Sequence, residues 1–597
     1  RAAPGAPPPN PAALPSPPPP VPDARSVFLD LAYTLAPLPA APMAPRRADQ
    51  RVGYFTDGFR DLATDTGGDR RTHYIARWRL EKKDPAAAVS EPKEPIRVVM
   101  DRNIPPAWRD AVRAGILEWN KAFERAGFRQ AIAVEQQADD ADWSSVEGTR
   151  LLAVRWFAME GPGAVAVGPS QTDPRTGEIL RGAAIIPENW VRLFRTRAGD
   201  SPPRMPPTQG AVHGSHDGHD GHEAHDGTLC ENAQAALQQA QFTFALLVER
   251  GAMAAEGPEA DRFIAGALKD VVMHEVGHAL GLRHNFRAST GVTQAQLRDA
   301  RFTAERGVSN SVMDYNALNT PLASEPPAEY HMSTLGAYDY WAIEYGYRQW
   351  PAADEARELA ALAARADHDP SLAYGTDEDL VANNDPLINQ RDLGDDPMAF
   401  ARRQLALSRE LWDLTQARQL AADDDMTVYR RNLERGLAGL SAAVPMLTKY
   451  VGGSFTSRAV AGSRQPLVAP VPAAQQRQAL DILLREVFAS ASFRFDPAFL
   501  SRLGIDQFDR FAPDRPPTSP DFSLASAVAG IQRAALDQLM SDTKAVRMAD
   551  AETQVADPRT LPSYAEVQER LSAAVWSELQ GRGPSRTIDS LRRNLQR

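Results

Sequence analysis

Apolar and polar positions follow three regimes along this chain. From Ser26 to about Lys93, short apolar runs stand apart: Val27-Phe28-Leu29-Asp30-Leu31-Ala32-Tyr33, Val52-Gly53-Tyr54-Phe55 and His73-Tyr74-Ile75-Ala76-Arg77-Trp78-Arg79-Leu80. Runs this short, rich in branched and aromatic residues, predict strands. A second regime mixes periods. Ile96-Arg97-Val98-Val99-Met100, Leu151 to Phe157 and Ile179 to Ile186 read as strands, the last following a turn at Asp173-Pro174-Arg175-Thr176-Gly177. Pro105 to Ala126 places Trp108, Val112, Ile116, Trp119 and Phe123 on one helical face. Leu229 to Met253 and Asp261 to Leu282 predict long helices. Beyond Tyr347 the pattern is mainly helical, with amphipathic stretches near 400–421, 472–489, 522–541 and 563–580. Strands interleaved with helices predict an α/β (α+β) unit whose partly parallel, mixed sheet is backed by helices. No fixed-period repeat is present, which excludes a solenoid.

Residues 1–25, with Pro7-Pro8-Pro9 and Pro17-Pro18-Pro19-Pro20, cannot bury a core and read as an extended tail. The chain divides into that tail, a β-rich N-terminal segment at 26–93, an α/β unit at 94–347 and a helical C-terminal region at 348–597. Composition is that of a soluble globular protein: 43% hydrophobic, 24% charged, net charge −11 over 597 residues. The acidity argues against nucleic acid as a partner. No apolar run reaches the roughly 18 residues of a membrane span. Cys230 is the single cysteine, which rules out an intrachain disulfide and a cysteine metal cluster. The first residue is Arg1 and not Met, which predicts that an export signal or longer N-terminal region has been removed.

The chemistry concentrates in His274-Glu275-Val276-Gly277-His278-Ala279-Leu280-Gly281-Leu282-Arg283-His284. Residues four apart stack on one helix face, so His274 and His278 can share an ion. Glu275 follows at a rotation of about 100° and points past the ion toward a bound water. Gly281 can take a positive φ and end the helix, and the returning chain delivers His284. Three neutral imidazoles leave a fourth zinc position open, as catalytic and not structural sites do. Phe263, Ile264, Ala267, Leu268, Val271 and Val272 precede the motif at helical spacing, so the helix is buried and its polar groups need partners.

Ser311-Val312-Met313-Asp314-Tyr315 lies 27 residues after His284. With the zinc motif it resembles the metzincins, whose Met-turn places a methionine beneath the histidines. More narrowly, the chain resembles the bacterial Met-zincin family of large secreted zinc-dependent metalloproteases. The supporting segments are Arg51-Val52-Gly53-Tyr54-Phe55, Glu118-Trp119-Asn120-Lys121-Ala122-Phe123, Asp173 to Ile179, Tyr338 to Tyr347 and Asp392-Leu393-Gly394-Asp395-Asp396-Pro397, within residues 26–500. The resemblance implies a metzincin-like zinc protease domain at 94–347, with Gly281 and Met313 supporting the site. It also implies that Tyr315 ligates zinc at rest or holds an oxyanion. It implies secreted or periplasmic localisation, and relatives with more N-terminal sequence, of which this chain would be a truncated or processed form. Metzincins lay extended substrates along an edge strand; Ile179 to Ile186 is the candidate, with an ordinary sheet strand as the alternative.

The expected function is zinc-dependent endopeptidase activity on a protein or peptide substrate, with one catalytic Zn²⁺ on His274, His278 and His284 and Glu275 as general base. Two other classes accommodate the same residues: an adhesion or scaffold protein with a vestigial site, and a zinc hydrolase of non-peptide amides. His213 to Asp226 carries five of the eleven histidines, one every third residue among Gly and Asp. This stretch, within a loop at 211–227, reads as a mobile surface loop, and more sharply as a low-affinity metal antenna. The acidic groups Asp377-Glu378-Asp379 and Asp395-Asp396 could bind calcium, but they lack EF-hand spacing to support it and read first as solvated charge.

Overall fold

A computed structural model describes residues 33–60, 71–157, 168–188 and 232–577, apart from 255, 423, 464, 506 and 508–520. The proline-rich tail and the His-rich loop lie outside the described residues. At the centre is a five-stranded sheet of order β4-β3-β5-β7-β6, formed by β3 (Ile96–Met100), β4 (Ile132–Gln136), β5 (Leu151–Phe157), β6 (Ser170–Asp173) and β7 (Glu178–Pro187). Four strands run parallel, and β6 pairs antiparallel with β7. The buried runs Val98-Val99-Met100 and Leu151 to Val154 show why these segments read as near-continuous hydrophobic strands.

The sheet is covered by α1 (Arg109–Glu118), α2 (Asn120–Arg125) and, after α3 (Asn232–Glu249), by the motif helix α4 (Pro258–Ala279). α1 presses on α4 so closely that a Cβ at Gly115 would stand 2.8 Å from Val272. The helix expected over 105–126 is divided. Trp119 is fully buried between α1 and α2, and its indole Nε1 donates to the Met273 carbonyl at 3.0 Å, so the chain turns to drive that ring against α4.

N-terminal to this unit, β1 (Thr56–Arg60) and β2 (Arg71–Ile75) form an antiparallel hairpin. The expected strand at 52–55 is an extended segment bridged only at Tyr54 to Leu282, and the one at 73–80 ends at Ile75 with a further bridge from Arg77 to Glu178. Tyr33, the last residue of the first expected strand and the one described, is exposed and outside any strand. Val52, Tyr54, Ile75, Trp78 and Leu80 belong to the same core as α1, α4 and the sheet.

Among the helices C-terminal to α4 are α5 (Ala337–Tyr347), α6 (Asp377–Ala382), α7 (Pro397–Ala417), α8 (Thr427–Tyr450), α9 (Ala473–Glu486), α10 (Leu524–Leu539), α11 (Asp542–Thr553) and α12 (Tyr564–Val575). α7 to α12 build a second core around Leu405, Leu433, Leu440, Leu480 and Val528, while α5 packs into the first core through Tyr338, Trp341 and Ile343. Arg250 joins the two parts through a bidentate pair with Glu410 at 2.7 Å. Among the described residues no helix is long and apolar enough to cross a membrane.

One expectation is corrected. Ile179 to Ile186 lies in β7, which is flanked by β5 and β6 and is therefore not the sheet's edge. The turn at 173–177 folds β6 back along the side where a peptide would pair.

Candidate metal centre

α4 starts where Gly257 hands over to Pro258, with Glu259 and Asp261 in the first turn to complement the helix dipole. Its last carbonyls would be stranded in the core without donors. Trp78 Nε1 donates to Ala279 O, and the Tyr347 hydroxyl donates to Leu280 O, both at 2.8 Å. Gly281 then takes φ +102°, and a Cβ there would lie 2.0 Å from the Ala76 carbonyl, so only glycine allows the exit. The chain turns back and brings His284 beside the helix.

The three imidazoles are almost wholly buried, and their ligand atoms lie within 4.8 Å of one another. Each Nδ1 faces an oxygen: Val312 O at 2.7 Å from His274, Leu282 O at 2.8 Å from His278, and Asp377 Oδ1 at 2.8 Å from His284. A carbonyl or carboxylate can only accept, so Nδ1 carries the proton and Nε2 keeps its lone pair. His278 Nε2 and His284 Nε2 stand 3.1 Å apart, lone pair toward lone pair. Two such atoms repel unless a cation sits between them. Tetrahedral zinc with Zn–N of about 2.0–2.1 Å sets a separation of about 3.3 Å. The donor set therefore fits zinc. Burial and the neighbouring histidines push His274 well below its ordinary pKa, and burial with His284 lowers His278 to about 3, which keeps both neutral.

Met313 lies directly beneath the helix. A Cβ at Gly277 would meet its Sδ at 2.3 Å, so the glycine between the two helical histidines opens room for the thioether. The turn is fixed by Asp339 of α5, whose carboxylate accepts from Ser311 Oγ at 2.6 Å, Val312 N at 2.9 Å and Gly336 N at 2.8 Å. Burial nonetheless pushes its carboxyl up to about 7. Tyr315 is buried with its ring 5.3 Å from that of His274 and 4.6 Å from that of His284. Phe286 stacks on His284 at 4.9 Å, and Phe55 of the N-terminal segment stands 5.8 Å from His278. Glu275 is fully buried on the same helix turn as His274.

The structure thus brings His274, His278, His284, Gly281, Met313 and Tyr315 together, with Glu275 on the same helix. It corrects the reading of Asp377 and Asp379 as solvated charge, while Glu378, Asp395 and Asp396 are exposed as expected. Asp377 is the partner of His284, and Asp379 accepts from Thr376 N at 2.9 Å and pairs with Arg458. Asp396 caps α7 through Met398 N and Ala399 N, and Asp395 accepts from Gln294 N at 3.2 Å. Sequence reasoning missed Asp377 because it lies 93 residues from its partner, beyond any local spacing rule. Asp339 stood inside the family-like segment Tyr338 to Tyr347, but only the fold shows that it grips the Met-turn.

An acceptor behind every imidazole and a methionine beneath them make this a metzincin-like metal centre. The chain belongs to the Met-zincin family, whose profile matches residues 256–583, more than half of the 597. A second profile, of a domain of unknown function, matches residues 16–83. No curated protein and no solved structure matches the chain.

Proposed function

We propose that this protein is a zinc-dependent endopeptidase, with His274, His278 and His284 as the metal ligands. The observation that carries the reading is the set of three Nδ1 acceptors, which leaves three Nε2 lone pairs for a single cation. When bound, zinc supplies Lewis acidity toward a carbonyl and toward water. Glu275, one residue along the helix from His274, takes a proton from the attacking water and passes it to the leaving amine. The Tyr315 hydroxyl donates to the oxygen on which negative charge develops. The buried setting around Phe286 and Phe55 lowers the local dielectric, which strengthens each of these polar interactions.

The test is cleavage of a denatured protein by the zinc-loaded full chain, with and without chelator. Glu275→Gln is expected to lower turnover by about 10²–10⁴-fold while zinc per chain stays unchanged. A Glu275→Gln enzyme with wild-type turnover rejects the mechanism, and a wild-type chain that carries zinc but cuts no peptide bond rejects the endopeptidase reading.

A further inference from the structure

We propose that Asp377 is the positioning residue of the third metal ligand, so that the region following the Met-turn completes the metal centre. This rests on the metal-holding part of the reading above and not on peptide hydrolysis. His274 and His278 sit on a helix, and carbonyls of the Met-turn and of the helix exit hold their rings. His284 lies beyond the glycine exit, where no helix fixes its ring. Its Nδ1 donates to Asp377 Oδ1 at 2.8 Å, the one carboxylate among the three acceptors.

That carboxylate is itself held. Thr376 Oγ1 donates to Asp377 Oδ2 at 3.1 Å, and Arg283 Nη2 stands 3.5 Å from the same oxygen. The segment leading into α6 is hydrogen-bonded along the segment that carries His284. Phe286 N donates to Gly375 O at 2.7 Å, and Gly375 N donates to Asn285 Oδ1 at 3.1 Å. On its far side α6 is pinned through Asp379 to Arg458, well into the C-terminal region. An anionic acceptor makes Nε2 more basic than a neutral carbonyl does and also fixes the ring plane. Of the three ligands, His284 is therefore the one whose strength is set from outside residues 274–315.

Zinc affinity of the full chain, measured by competition with a chromogenic chelator, tests this without any substrate. Asp377→Asn is expected to bind zinc about 10–100-fold more weakly, as loss of an outer-shell carboxylate does. Glu378→Gln, which removes the same charge from the same helix turn, is expected to change affinity by less than about twofold. Unchanged affinity in Asp377→Asn overturns the proposal, and so does an equal loss in both variants, which marks a general charge effect. A second measurement needs no variant to fold. In the ¹⁵N-histidine-labelled apo chain, the rings assigned to His274, His278 and His284 are expected to carry their proton on Nδ1. A His284 ring protonated on Nε2 overturns the proposal, because its Nδ1 would then have no proton to give Asp377.

Discussion

At the scale of single residues, the centre combines chemistry written in local spacing with chemistry that is not. His274, His278, Glu275 and Gly281 were legible because a helix converts a four-residue interval into a shared face and a glycine into an exit. Tyr315 was legible only by its place after Met313, and its rings-in-contact position leaves two roles to separate. If its hydroxyl stabilises the oxyanion, Tyr315→Phe lowers kcat by about 10²–10³-fold with KM and zinc content unchanged. A rate within twofold of wild type reduces Tyr315 to a packing residue against His274, His284 and Phe286. Gly277 makes a purely steric demand. Gly277→Ala places a methyl group 2.3 Å from Met313 Sδ and 2.9 Å from Trp119 Cζ2. Met313 is flexible and gives way, but it does so inside a filled core, at a cost of about 1–3 kcal/mol. Urea unfolding of the apo variant reads that cost, and an unchanged midpoint shows that the thioether has a second resting place.

At the scale of elements, the sequence pattern placed β3, β5, β7, α3 and α4 close to where they lie, because each carries enough buried residues to impose one period. Among the elements it missed are β1, β4, β6, α6, α8 and α11. β4 alternates weakly, with Ile132 fully inside and Glu135 outside, and β6 has four residues, too few for a period. α8 hides a regular series, Leu433, Leu437, Leu440, Val444 and Leu447, behind Pro445, which reads as a helix end yet sits within the helix. The break at Trp119 and the burial of β7 inside the sheet are tertiary outcomes that no single window contains. Between elements, the junction of α5 with the Met-turn rests on Asp339, which gathers three donors in a buried place. Asp339→Ala leaves two backbone N–H groups and the Ser311 hydroxyl without their acceptor, at a cost of about 2–4 kcal/mol. Because Val312 O holds the His274 ring, the same variant is expected to bind zinc more weakly. Intact affinity with lowered stability separates the support of the turn from the support of the ligand.

At the scale of the whole molecule, the site is assembled from three stretches of chain: the segment around Phe55, the unit from β3 to α5, and the loops on either side of α6. The third contact is electrostatically tense. Asp314, next to Met313, and Asp392, in the loop before α7, are both buried and close enough to oppose each other's ionisation. Burial and the Asp392 charge hold the Asp314 carboxyl well above its ordinary range, and burial pushes Asp392 up to about 6. Ser289 N donates to Asp314 Oδ2 at 2.9 Å and Asn389 Nδ2 to Asp392 Oδ2 at 3.1 Å, while Arg391 and Lys449 lend positive charge. For a carboxyl whose folded-state pKa exceeds the unfolded value of 3.8, the folded chain binds more protons in the window between the two. Stability then falls as pH rises through that window, here from about 4 to 6 for Asp392 and higher for Asp314. Asp339 adds a decline of the same sign, so wild type alone cannot assign it. Asp392→Asn keeps an acceptor for Asn389 and removes the charge opposing Asp314. The loss of urea midpoint between pH 5 and pH 8, measured on chelator-treated chains, is expected to be smaller in Asp392→Asn than in wild type. The difference is expected to be greatest at pH 8, where the wild-type pair carries most charge. Parallel losses in the two chains would show that the carboxyls do not repel across this joint, and the seam between the Met-turn and the loop before α7 would then be held by packing and hydrogen bonds alone.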